Sequence, residues 1–226
     1  LSQDVTENTP PVEHAAGVMS KPATEKLKLL FVFALLGLAI YFSRPTVPSL
    51  IVGFILVMFG NFWRIWAGGH LTRNKRLAVS GPYEYTRNPF YLGRFLYIIG
   101  FACMAGLGFR LNDANPDVAR VNIVLSIIFA VAIIVFFGVY MPRKEQREGD
   151  RLLEIFGDEY ATYRQNVPPL FPRFSPYRTN PRPWSKDLFL GKDETFGGNK
   201  EHWTILSVLL IAALFLVRYL TLPPQP

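Results

Sequence analysis

Residues 121–141 read VNIVLSIIFAVAIIVFFGVYM, a run without Asp, Glu, Lys or Arg. A helix of that length, at 1.5 Å of rise per residue, crosses a hydrocarbon core about 30 Å thick. Four further runs with few or no charges lie around it: 26–42, closed by a turn at Pro45 and Pro48; 50–67; 90–109; and 203–222, which follows a polar stretch rich in Pro and Gly. Pro142 is expected to end the quoted run, because its ring removes a helical donor. These runs predict an all-α integral membrane protein with about five transmembrane helices.

Composition points the same way. Of 226 residues 50% are hydrophobic and only 18% charged. A soluble globular domain, a disordered chain and a disulfide-stapled secreted domain are all excluded by that distribution. The single cysteine, Cys103, has no internal partner for a disulfide. A net charge of +7 invites a nucleic-acid reading. The basic residues, however, cluster at the ends of apolar runs, where membrane topology needs them, so no nucleic-acid partner is expected.

Residues 1–20 are polar, contain Asp4, Glu7 and Glu13, and lack the apolar core of a signal peptide. Residue 1 is Leu, so a processed or missing start is expected. Three parts are predicted: a polar tail over 1–25, a membrane domain of four spans with interfacial helices over 26–172, and a polar loop with the fifth span over 173–226.

Orientation follows from the 24 Lys and Arg. They concentrate on the N-terminal flank, the 68–88 loop and the 142–202 segment. The opposite side keeps only Arg44, Arg110, Arg120 and Arg218. The positive-inside rule then places the N-terminus and both segments in the cytoplasm and the C-terminus outside, with a bacterial plasma membrane as the expected location.

The unusual residues gather in those two cytoplasmic segments. The first reads Gly81-Pro82-Tyr83-Glu84-Tyr85-Thr86-Arg87-Asn88-Pro89-Phe90-Tyr91-Leu92-Gly93. It reads equally as a turn with interfacial tyrosines and as a helix start at the membrane surface. In the second case free backbone N–H groups, Arg87 and Gly93 could admit a polar ligand. The second segment carries Glu145, Glu148, Arg151 and then Leu152, Phe156, Tyr160 and Tyr163 at helical spacing. This is an amphipathic element expected to lie on the cytoplasmic interface, broken at Gly157 with Asp158 capping the second piece. On spacing alone, a solvated charge face with an apolar anchor is the favoured explanation; the pairing of Glu145 and Glu148 with tyrosines next to a second polar loop is what points to a site.

Together the two segments resemble the membrane-embedded isoprenylcysteine carboxyl methyltransferase and phospholipid methyltransferase superfamily, and more narrowly its prokaryotic members. The resemblance rests on Gly81–Tyr83, Arg87–Pro89 and Tyr91–Gly93 for the first signature. Glu148, Leu152, Phe156-Gly157, Tyr160, Tyr163 and Pro168-Pro169 carry the second. It covers roughly residues 64–172. Asn88 stands where many members have His, and Gly149 where the family's carboxylate pair has its second Glu; Glu145, one turn earlier, is the candidate replacement.

The resemblance implies an enzyme using S-adenosylmethionine as cosubstrate on a lipidic or small carboxylate, amine or thiol acceptor. It implies a cosubstrate site formed by Tyr83, Asn88, Tyr91, Gly93, Glu145, Glu148, Tyr160 and Tyr163, with Arg87, Asn88 and Arg151 at the reacting groups. A lipidic acceptor would enter between the third and fourth spans. Two alternatives stay open: a non-catalytic subunit of a larger membrane assembly, docking other subunits through 173–226, and a reductase on a related membrane scaffold, for which no glycine-rich dinucleotide fingerprint is present. His70, beside Gly68-Gly69, reads as a loop hydrogen-bonder, and no metal site is expected. Arg64 and Arg94 lie near the cytoplasmic ends of their spans, placed either to snorkel or to face a pocket.

Overall fold

The computed structural model describes residues 30, 34, 36–72, 76–178, 181–190 and 201–222. The chain divides into compact units over 1–38 and 39–226. The described residues of the first are helical. Eight of the 17 residues of the predicted first span lie outside the described residues and the other nine are helical; everything below concerns the second unit.

Helix α1 spans Val47–Gly68. Its start is a reciprocal cap: the Ser49 amide donates to Thr46 Oγ1 at 3.2 Å and the Thr46 amide to Ser49 Oγ at 2.8 Å. Pro48 therefore sits inside the first turn, where no amide hydrogen is needed, instead of serving only as a stop for the preceding run.

Helix α2 spans Pro89–Met104, shorter than the 90–109 expected. Gly106, at φ +89°, explains the early end. Its amide donates to Cys103 O at 2.8 Å and the Leu107 amide to Ala102 O at 3.1 Å, the paired bonds that finish a helix through a left-handed residue.

Helix α3 spans Pro116–Val135 and continues through a π-helical turn, Phe136–Tyr140, into α4, Met141–Asn166. The expected stop at Pro142 does not occur. The wider turn lets the Met141 amide reach back to Phe136 O, and Pro142 then falls in the first turn of α4, where its missing donor costs nothing. Gly157 does bend the element, with φ 51° and ψ −129° inside α4. A short helix α5, Lys186–Leu190, precedes α6, Glu201–Thr221.

By length and composition three described helices can cross a membrane: α1, the α3–α4 helix and α6; α2 is a shorter apolar helix. No strand occurs among the described residues. The protein is an all-α membrane protein. Helices α1 and α2 pack almost backbone to backbone, since a Cβ on Gly53 would lie 2.4 Å from Gly100 O. Alongside, the Tyr97 hydroxyl donates to Asn61 Oδ1 at 2.6 Å, satisfying both groups in an apolar setting. Helix α6 completes this core by placing Val208, Ala212 and Phe215 against Val57, Tyr97 and Met104. Helix α3 is tied at its N-terminal end, where Asn122 Nδ2 donates to Gly106 O at 2.9 Å. Ile127, Ile128 and Ile134 on it are exposed, as side chains facing lipid are.

Candidate functional site

The two motif-bearing segments are stitched together by backbone groups. The Arg87 amide donates to Pro168 O at 2.9 Å, Thr86 Oγ1 to Leu170 O at 2.9 Å, and Asn88 Nδ2 to Pro169 O at 2.8 Å. Two prolines in sequence provide carbonyls without competing donors, so this end of the second segment is a ready acceptor for the first. The Tyr163 hydroxyl adds a bond of 2.8 Å to Tyr83 O.

Between the segments lies a cavity of about 560 Å³. Tyr83, Arg87, Asn88 and Tyr91 line it from one side and Glu145, Glu148, Arg151, Tyr160 and Tyr163 from the other. Gly93 does not line it. A Cβ at that position would come within 2.5 Å of Arg64 Cγ, so Gly93 makes room for the stem of an arginine. Arg64 itself lines the cavity.

Polar groups on the wall differ in what they have left to offer a ligand. Arg87 Nη1 stands 2.7 Å from Glu145 Oε1, and both side chains are largely buried. Asn88 is the N-cap of α2 but makes no side-chain cap bond, its amide being committed to Pro169 O. Among the described residues Glu148 forms no ion pair, which leaves it as a carboxylate facing the cavity. Lys144 Nζ and the Arg94 guanidinium both lie over the Tyr91 ring, at 4.6 and 5.6 Å from its centroid. Burial pushes the Tyr163 phenol well above its ordinary range, with the Arg87 charge opposing. Tyr163 is thus a neutral donor at physiological pH and not a base.

Part of the apolar side of α4 packs on the protein itself, while Leu153 and Ile155 are exposed. Tyr160 and Tyr163 are buried with Leu77 and Val167, and Leu152, Phe156, Val79 and Tyr177 pack around them. The amphipathic spacing thus serves contacts with the 76–83 loop and 167–177. Gly149 also has a structural reason. A Cβ there would meet the Tyr160 hydroxyl at 3.1 Å and Arg164 Nη1 at 3.4 Å, in space that a second carboxylate at this position would need.

Several wall residues lie outside the motifs, Arg76 and Arg94 among them, and two of these, Arg64 and Glu201, meet each other. Arg64, inside an apolar run, carried the signal of an intramembrane charge but not of its direction. Glu201 gave no signal, since it opens the final apolar run far from either motif. The structure pairs them: Arg64 Nε and Nη2 donate to Glu201 Oε2 at 3.0 and 2.5 Å, and Arg64 Nη1 to Phe90 O at 3.2 Å. His70 lies outside the cavity wall, its Nδ1 3.1 Å from Ser80 Oγ.

The sequence has distant relatives among known proteins. The chain is 29% identical over 131 residues to the cobalt-zinc-cadmium resistance protein CzcN of Cupriavidus metallidurans, covering 57% of this chain and 51% of that protein. It is 28% identical over 132 residues to the nickel-cobalt-cadmium resistance protein NccN of Alcaligenes xylosoxydans xylosoxydans, covering 58% and 53%. It is 29% identical over 111 residues to the protein-S-isoprenylcysteine O-methyltransferase of Schizosaccharomyces pombe, covering 46% and 39%. The chain spans about half the length of the first two relatives, and less of the third. No family model and no solved structure matches it. Among the described residues no group of three or more His, Cys, Asp or Glu is arranged to hold a metal ion.

Proposed function

We propose that this protein is a membrane-embedded methyltransferase that uses S-adenosylmethionine and passes its methyl group to a lipidic or small carboxylate, amine or thiol. One observation carries the reading: two segments that resemble the signatures of one methyltransferase family line a single cavity of about 560 Å³, within the range of small-molecule sites. The methyltransferase among the distant relatives supports it.

The wall offers a cationic cosubstrate the Glu148 carboxylate, which is in no ion pair within 4 Å among the described residues though its charge also acts on Lys144, and the rings of Tyr91, Tyr160 and Tyr163 line the same cavity. When bound, the cosubstrate supplies an electrophilic methyl on a sulfonium, and the bond to sulfur breaks as the acceptor's lone pair attacks. Glu148 would hold the ammonium of the methionine part. Tyr160 and Tyr163 would screen the reacting centre from water, so that alignment and desolvation do the catalytic work. Arg151 would meet an acidic acceptor. A carboxylate acceptor is already ionised near neutral pH, so the chain need provide no general base for it.

The test is titration calorimetry of the protein in lipid nanodiscs with S-adenosylmethionine. Binding is expected for the wild type, with a loss of about tenfold for Glu148→Ala, in line with removal of one charge-assisted contact. Equal affinity in the two proteins would remove Glu148 from the site.

A second reading, a non-catalytic membrane subunit, has its own observation. Arg87 is paired with Glu145 and the Asn88 amide is bonded to Pro169 O, so part of the polar motif is spent on holding the fold. The resistance proteins among the relatives leave this reading standing, and a wild-type protein that takes up no S-adenosylmethionine would favour it.

A further inference from the structure

The final described helix contributes a charged residue to a cavity that is also lined by Arg64 of α1, by Leu71, Thr72, Arg76, Leu77 and Ala78 from the loop after it, and by the two motif segments. Arg64 and Glu201 are both buried, at 5% and 8% exposure, and both are on the cavity wall. The guanidinium has five N–H donors and uses three of them, two on Glu201 Oε2 and one on Phe90 O. It also lies 5.1 Å from the centroid of the Phe90 ring. The segment leading into α5 is fastened to the C-terminal end of α1: the Trp184 indole donates to Ile65 O at 3.0 Å and the Ser185 amide to Gly69 O at 2.9 Å.

Charge arithmetic gives this pair a task. Five arginines but only three glutamates line the cavity. Glu145 is engaged by Arg87, and Gly149 leaves no carboxylate beside Glu148. Were Arg64 uncompensated, the wall would carry a further positive charge at a buried position, and a cation would be disfavoured there. Glu201 cancels it.

We propose that Glu201 is a positioning and charge-balancing residue of the cavity. It holds Arg64 against the wall and makes the site tolerant of a sulfonium ligand, a task the missing carboxylate at 149 does not perform. The proposal rests on the methyltransferase reading and extends the site into the last transmembrane helix.

S-Adenosylmethionine carries net positive charge, and S-adenosylhomocysteine, with a neutral sulfur, carries none. The ratio of their affinities therefore reads the charge of the wall, whereas a merely structural defect weakens both alike. Titration calorimetry in nanodiscs with wild type, Glu201→Gln and the double variant Arg64→Gln/Glu201→Gln measures it. For Glu201→Gln the affinity for S-adenosylmethionine should fall about tenfold relative to that for S-adenosylhomocysteine, the effect of a unit charge about 12 Å away at an effective dielectric constant of about 20. The double variant, with both charges removed, should restore the ratio. It also serves as the folding control, because replacing a whole buried pair is far milder than breaking it. A ratio unchanged in Glu201→Gln, or one not restored in the double variant, overturns the proposal. Failure of the wild type to bind either compound would instead overturn the methyltransferase reading and the proposal with it.

Discussion

Arg87 and Glu145 meet at 2.7 Å across the cavity wall, joining the first motif to the start of the second. Arg87 precedes the N-cap of α2, and Glu145 lies in the first turns of α4 just beyond the π-helical turn. The pair ties the start of α4 to the motif loop, and the Tyr163 hydroxyl on Tyr83 O ties its later turns to the same loop, so together they fix how the two segments face each other.

Breaking that pair from one side leaves a largely buried charge without its partner. Glu145→Ala is expected to destabilise the protein by about 2 kcal/mol, and Arg87→Ala by a similar amount. The double variant should lose clearly less than the sum, since no uncompensated charge remains. Thermal unfolding in detergent, followed by tryptophan fluorescence, checks this, and strictly additive losses would contradict it.

The two glycines after α2 should respond differently to a methyl group. Gly106 has φ +89°, and its Cβ would lie 2.4 Å from Arg44 O, so Gly106→Ala meets both strain and a backbone collision. Gly108 has φ +79° but open space around it, so Gly108→Ala meets strain alone. Losses of about 3 and about 1 kcal/mol are expected, respectively. The same unfolding assay ranks them, and equal losses would mean that the Arg44 contact carries no weight.

Acid should weaken the loop that follows α1. Burial lowers the pKa of His70 from 6.5, so the folded protein favours the neutral ring while the unfolded chain binds the proton more readily. Stability from this group is fully present above pH 6.5 and is lost as pH falls through the lowered folded value. The ring has little room to move away, because a Cβ on Gly81 would lie 2.4 Å from it. The melting temperature is expected to drop between pH 6.5 and 5, and His70→Asn should flatten that part of the profile. A profile of unchanged slope would assign the acid sensitivity elsewhere.

Much of the architecture was legible in the residues. Uncharged runs located α1, α3 and α6 to within about six positions at either end, because a membrane-crossing helix must be long and apolar wherever it packs. The break at Gly157 was legible for a local reason too, since the residue takes a backbone conformation that suits glycine. Pro142 misled because a proline's effect depends on the turn before it, and a π-helical turn absorbs the missing donor. The end of α2 misled because apolarity continues past Gly106 while the helix does not.

For the candidate site, the sequence by itself determined which residue types stand in the two segments and in what order. Only the tertiary structure decided which of them are spent on each other. Asn88 is turned to Pro169 O, Arg87 to Glu145 and Gly93 to the stem of Arg64, while Glu148 stays open to the cavity. It also brought Glu201 against Arg64, from the far end of the chain. The physical reason is that apolarity, capping and turn preferences act over a few residues and leave a local trace. A charge pair depends on where two helices meet in space, and nothing in either neighbourhood records the partner.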